Sequence, residues 1–233
     1  MSAQHDDRAA MYGEGCAEFY DEIYAPATRI AVERLAALAA EGPVLEAGVG
    51  TGRYALPLAT RGIAVHGIDA SAAMLSIVRS KAGSLPITTT LADFSTTAVA
   101  GTHRLVICLT NTLTLLPDAV RQSQAVAHFA AALDEQGSVL IETTHVVGDS
   151  SITLTDVMLD TRRGKRRYRA ECRHVDTTHL DLWAAEAGLR RIARWRDWHR
   201  RPWNGEQGNV LSLYRKRTQS QQCHTRAAIT TDP

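Results

Sequence analysis

Short apolar runs alternate with amphipathic segments along the first two-thirds of the chain. Residues 26–40 carry apolar side chains at helical spacing, with Pro26 near the start and Gly42 just past the end. Just upstream, residues 17–24 put Phe19, Tyr20, Ile23 and Tyr24 on one helical face. Strands are predicted over residues 44–45, 64–68 and 87–91, and the β-branched run at 104–109 reads as a central strand. A turn at 135–137 leads into a fifth strand at 138–142. Helices are predicted over 54–60, over 72–81 with Ser71 as its cap, and over 120–133. This alternation predicts an α/β fold with a mostly parallel, doubly wound sheet.

The last third is less regular. Residues 152–154 and 168–172 are β-prone pieces around the basic run 162–167, a helix spans 178–186, and Gly188 closes it. Residues 190–198 and 209–214 read as an antiparallel strand pair completing the sheet. Residues 218–233 are polar and aperiodic, which predicts a disordered tail after a single domain over 1–217.

Composition narrows the function classes. A formal net charge of +1 gives no electrostatic ground for a nucleic-acid or anionic-membrane partner. No apolar run reaches membrane-spanning length, and the amino terminus lacks a signal-peptide core. Cys16, Cys108, Cys172 and Cys223 show no C-x-x-C spacing, so reduced thiols in a cytoplasmic protein are expected. No metal-ligand cluster is discernible, and no metal is expected.

The chemistry concentrates at residues 44–53, Val-Leu-Glu-Ala-Gly-Val-Gly-Thr-Gly-Arg. An apolar strand ends in Glu46, and Gly48, Gly50 and Gly52 turn the chain into a helix, exposing bare backbone at a strand's carboxyl end. A dinucleotide site needs G-x-G-x-x-G, but the position of its third glycine holds Arg53. Glu46 would repel a diphosphate and attract a cationic amino-acid headgroup. About twenty residues on, Asp69 closes the second strand with a carboxylate suited to a ribose diol, followed by Ala70.

This ordered set resembles motif I and the ribose-binding acid of the class I, Rossmann-like S-adenosylmethionine-dependent methyltransferases. The resemblance spans roughly residues 17–215. It implies S-adenosylmethionine as cofactor and a small-molecule acceptor, in the manner of bacterial enzymes that methylate sugars, amines or natural-product intermediates. Residues 20–24, Tyr-Asp-Glu-Ile-Tyr, are similar to the family's aromatic amino-terminal helix, which makes residues 1–40 a helical lid and Tyr20 and Tyr24 cofactor contacts. Asp93 and Phe94 match the segment whose acid meets the adenine amino group, and Met74 is placed to pack on the adenine face. Leu109, Thr110 and Asn111 correspond to the motif beside the methionine moiety. Residues 181–189 resemble the late L-x-x-x-x-A-G-L helix end.

Methyl transfer needs alignment and exclusion of water, with a base only if the nucleophile must lose a proton. His145, just past the fifth strand, is the candidate catalytic base, weighed against a structural loop histidine; His174 and His179 rank below it. Relatives usually carry more antiparallel structure after strand five. With only about thirty residues there, the acceptor pocket is open, covered by the amino-terminal helix, or completed by a second subunit in a homodimer. The basic clusters at 162–167 and around Arg190–Arg201, interleaved with Trp195, Trp198 and Trp203, read first as a solvated hairpin and strand residues, and second as an RNA surface. An RNA or protein methyltransferase, or a cofactor-binding protein without catalysis, is the alternative reading.

Overall fold

In a computed structural model, which describes residues 8–99, 101–147 and 152–217, the chain begins with α1 (Arg8–Cys16), a 3-10 turn (Ala17–Phe19) and the short α2 (Tyr20–Ile23). Then follow α3 (Arg29–Ala39), β1 (Val44–Ala47), α4 (Ala55–Ala59), β2 (Val65–Asp69), α5 (Ala72–Ala82), β3 (Ile87–Leu91) and β4 (His103–Cys108). The rest comprises α6 (Ala119–Ala131), β5 (Leu133–His145), β6 (Ile152–Thr161), β7 (Gly164–Arg173), α7 (Thr177–Glu186), β8 (Leu189–Trp195) and β9 (Gly208–Lys216).

Seven strands form one sheet in the order β3-β2-β1-β4-β5-β9-β8. The first five pair in parallel, while β9 runs antiparallel to β5 and to β8, which is the expected Rossmann-like arrangement. Winding starts at β1, moves outward through β2 and β3, then crosses back to β4. The crevice outside β1 and β4 is therefore the topological switch point where such sheets bind ligands. Leu105, Val106, Ile107 and Cys108 of β4 are fully buried, as a strand covered on both faces must be.

Local chemistry sets the helix starts. Ser71 Oγ accepts from Met74 N–H at 3.1 Å, Thr28 from Ala31 N–H at 3.3 Å, and an Asp118 carboxylate oxygen from Arg121 N–H at 2.8 Å.

Two expectations need correction. Residues 135–137 are not a turn before a strand. β5 already starts at Leu133, and its pairing with β4 jumps from His103↔Leu133 to Leu105↔Ser138, so residues 134–137 form a bulge inside the strand. Gly137 permits it, because a Cβ there would sit 2.9 Å from the His103 carbonyl oxygen. The fragments at 152–154 and 168–172 belong to one long hairpin, β6–β7, a separate two-stranded sheet turning at Arg162–Arg163. Its alternation is hidden because Leu154, Val157 and Met158 face solvent, while Leu159, Tyr168 and Ala170 pack on the amino-terminal segment. α1 lies inside the helical lid expected over residues 1–40, although no local pattern marked its bounds. The expected tail lies outside the described residues.

Two glycines in nine residues make α1 a poor helix in isolation. It forms by docking. Gly13 lies so close to α5 that a Cβ would come within 2.5 Å of the Ser71 Cβ. Glu14 Oε1 then accepts from Ser71 Oγ at 2.8 Å and Ala73 N–H at 3.1 Å, clasping the start of α5.

Gly13→Ala gains helix propensity of about 1 kcal/mol but forces an overpacked contact costing about 1–3 kcal/mol. The contact wins. Faster amide exchange over residues 8–24, with the sheet unchanged, is the expected result; unchanged exchange there would contradict the close docking.

Candidate active site

The loop after β1 is held open by its neighbours. Gly48 N–H and Val49 N–H both donate to the Ile68 carbonyl, at 2.8 and 3.2 Å, and Gly50 N–H donates to Asp69 Oδ2 at 2.8 Å. Gly48 has φ +73°, and a Cβ on it would collide with Thr112 at 2.2 Å. Gly50 has φ +53° and opens toward Met74, whose sulfur would lie 3.9 Å from an added Cβ. Gly52 differs. Its missing Cβ would strike Val78 and Leu56, so its absence serves helix packing rather than open space.

Asp69 is bound from both sides, with Ser71 N–H on Oδ1 at 2.9 Å opposite the Gly50 contact on Oδ2. Burial still raises its pKa, against those two hydrogen bonds. Asp69, Ala70, Met74, Asp93 and Phe94 line one cleft with Gly48, Gly50 and Tyr20. Asp93 also accepts from Ser95 N–H at 2.7 Å, so it caps a turn and lines the cleft at once.

Glu46 lies deeper, 3% exposed, with Oε2 buried and unpartnered. Burial, reinforced by the nearby Asp69 charge and opposed by Arg53, pushes its pKa up to about 8. Glu142 on β5 is also raised by burial, against the Thr110 N–H donated to its Oε2 at 2.8 Å. Thr110 and Asn111 both adopt left-handed backbone, φ +55° and +60°, a costly pair of non-glycine residues at the end of β4. Asn111 Oδ1 accepts from Thr144 Oγ1 at 3.0 Å and helps hold that bend, while Leu109 is buried in the core.

Above the cleft sits the amino-terminal segment. Asp21 accepts from Thr51 Oγ1 at 2.7 Å and from Lys81, tying α2 to the glycine loop and α5. The Tyr24 and Tyr168 hydroxyls lie 2.7 Å apart, and Tyr12 Oη is 3.3 Å from each, so three phenols join α1, the lid and the hairpin. Tyr12 and Tyr168 escaped the sequence reading. The tyrosine content of residues 12–24 was the available signal for the first; nothing marked the second.

A second cavity, of about 670 Å3, lies between α1, residues 115–117 and the hairpin. It shares Tyr12, Leu115 and Leu116 with the cleft. Arg167 and Arg169 line it, both paired with Asp156. Residues of α1 and of the hairpin face each other across this cavity. His145 ends β5, its ring edge-on to Trp203 at 5.0 Å, and lines neither cavity. His174 hydrogen-bonds Thr153 at 2.6 Å, and His179 stacks on Trp183. The expected basic run is the exposed tip of the hairpin. Among the described residues no group of three or more His, Cys, Asp or Glu could hold a metal ion, and no helix is long and apolar enough to cross a membrane.

A bare-peptide cradle, a carboxylate at the second strand end and an orphaned buried carboxylate oxygen fit a nucleoside carrying a cationic amino-acid group. The methyltransferase-domain family matches residues 44–137. The chain is similar to the CcbJ methyltransferase from Streptomyces caelestis, at 27% identity and a TM-score of 0.80, over 92% of this chain and 100% of that one. It shares its fold with an S-adenosylmethionine-dependent methyltransferase from Clostridium acetobutylicum ATCC 824 (14% identity, TM-score 0.70, 87% and 98% covered). The same holds for S-adenosylmethionine-bound CalS10, an amino pentose methyltransferase from Micromonospora echinaspora involved in calicheamicin biosynthesis (19%, 0.59, 80% and 89%). No curated protein matches the chain significantly. Glycine cradle, paired acids, domain match and whole-chain fold agree in one likeness, to the class I S-adenosylmethionine-dependent methyltransferases.

Proposed function

We propose that this enzyme methylates a small molecule in bacterial specialised metabolism, working in the cytoplasm, with its acceptor in the 670 Å3 cavity. The observation that carries this reading is the shared wall of Tyr12, Leu115 and Leu116, which makes the cavity and the cofactor cleft neighbours at the sheet's carboxyl edge. A pocket roofed by a helix and a hairpin suits a compact acceptor better than an RNA strand. The CcbJ and CalS10 likenesses lend the same support.

When bound, S-adenosylmethionine supplies an electrophilic methyl group on a sulfonium centre. Asp69 would hold the ribose diol, Asp93 the adenine amino group, and Met74 and Phe94 the faces of the base. Gly48 and Gly50 would offer backbone without side-chain obstruction, and Glu46 a carboxyl oxygen that the cationic amino group would help to ionise. The tyrosine triangle and the docked α1 exclude water and fix the acceptor's approach, where much of the acceleration of an in-line displacement arises. A homodimer through the exposed Leu154 and Met158 of the hairpin would narrow the cavity mouth; full activity in a sample monomeric by light scattering rules it out.

Isothermal titration with S-adenosyl-L-homocysteine, followed by turnover on a panel of amines, sugars and phenols, tests the function. Micromolar product binding and methylation of a panel member are expected; turnover on RNA or protein alone would overturn the acceptor class.

Glu46→Gln separates cofactor binding from stability. The Glu46 carboxyl titrates near 8 when folded and near 4.5 when unfolded, so its stabilising contribution is complete below pH 4.5 and is lost as pH rises through 8. Without the cofactor, the variant should therefore gain stability over wild type progressively from pH 5 to 8.5, by on the order of 4 kcal/mol across that range, read as a widening difference in melting temperature. It should bind S-adenosyl-L-homocysteine about tenfold more weakly. A pH-independent melting difference would contradict the buried, proton-holding state.

His145→Ala is expected to leave cofactor affinity intact and to lower kcat by no more than about threefold, since its ring packs on Trp203 outside both cavity linings. A loss of about 100-fold would instead make His145 the base.

A further inference from the structure

Arg53 stands where a dinucleotide fold keeps its third glycine, and nothing above gives it work. It follows Gly52 and precedes α4 by one residue, half-buried. Its guanidinium carbon lies 5.5 Å from the Tyr54 ring centroid and 5.8 Å from that of Tyr24, so a ring from the core and a ring from the lid bracket it. Nη1 reaches Thr110 Oγ1 only at 3.4 Å, and Nε is buried without a partner. Among the described residues Arg53 forms no ion pair, although the buried acids Glu46 and Glu142 both feel its charge.

A buried guanidinium edge without an anion sits within electrostatic reach of the Glu46 carboxyl, whose Oε2 lacks a donor. Both charges also act on Tyr20, which lines the cofactor cleft. One orphaned donor and one orphaned acceptor of opposite sign are the complement of an α-amino acid. Glu46 suits the ammonium end, and that leaves a carboxylate for Arg53.

We propose that Arg53 is the anchor for the cofactor's α-carboxylate. The assignment rests on the reading of the chain as an S-adenosylmethionine enzyme. The planar fork would meet the carboxylate with two parallel donors, which a lysine cannot do. Tyr24 covers that fork and is bonded to Tyr168, so occupancy of the carboxylate site would also steady the lid against the hairpin. The competing account makes Arg53 a structural counter-charge for Glu46 and Glu142, with no ligand of its own.

The two accounts separate on paired ligands. S-adenosyl-L-homocysteine carries the amino-acid moiety; 5′-methylthioadenosine shares the nucleoside and lacks it. Titrated against wild type and Arg53→Met, the first should lose about 30-fold in affinity and the second less than twofold. Arg53→Lys, which keeps the charge and guards against a misfolded methionine variant, should lose about fivefold for the first ligand alone. Equal losses for both ligands, or none for S-adenosyl-L-homocysteine, would overturn the assignment. Wild type binding neither ligand would overturn the cofactor reading itself and the assignment with it.

Discussion

The bend after β1 is a constraint shared by two strands. Gly48 and Val49 hang from the Ile68 carbonyl, and Gly50 from the Asp69 carboxylate, so the cofactor loop is fastened to the end of β2. Gly67 completes the fastening, because a Cβ there would come within 2.7 Å of Val49. Asp69 therefore has two tasks. Its carboxylate shapes the loop through Gly50 and Ser71 and still presents lone pairs to the cleft. From the sequence Asp69 reads only as a carboxylate for a ribose diol, and its two backbone partners add a structural role.

Charge burial gives the site its second character. Glu46, Glu142 and Asp69 all have raised pKa values, and desolvation leads in each. Fold stability alone does not explain keeping three such carboxyls near one crevice, since an unpaired buried acid costs free energy whenever it ionises. A ligand bringing hydroxyl and ammonium donors offsets that cost only when it binds. Such a site gives up stability while empty and regains it as affinity, in keeping with a scaffold whose strained Thr110–Asn111 bend lies at the same edge.

The sheet and its loops were legible because their signals are local. Residues 44–53 place strand, acid and glycines in an order few other functions require, and β3 was read with its observed bounds. The bounds of α1 and the continuous hairpin were not, for a definite reason. In α1 the docking residue is a glycine, which carries no apolar signal, and the clasp is Glu14, a polar residue that reads as solvent-facing. In β7 only Tyr168 is buried among charged neighbours, so the period-two pattern dissolves. Both elements take their stability from contact with each other and with α5, information that no local window holds.

The same division explains the site. Residues on the cofactor side sit at strand ends, where position along the chain fixes position in space. The proposed acceptor side is assembled from α1, residues 115–117 and the hairpin, brought together over long sequence separations. Tyr12 and Tyr168 meet across 156 positions. His145 illustrates the converse: adjacency to a cofactor-bearing strand end is not adjacency to the cavity. β5 extends beyond the crevice to pair with Gly208, and its last side chain turns to Trp203. In the proposed reading the parallel half of the sheet sets what the enzyme can carry, while the lid and hairpin, joined by phenols, carboxylates and a small apolar cluster, set what it can meet.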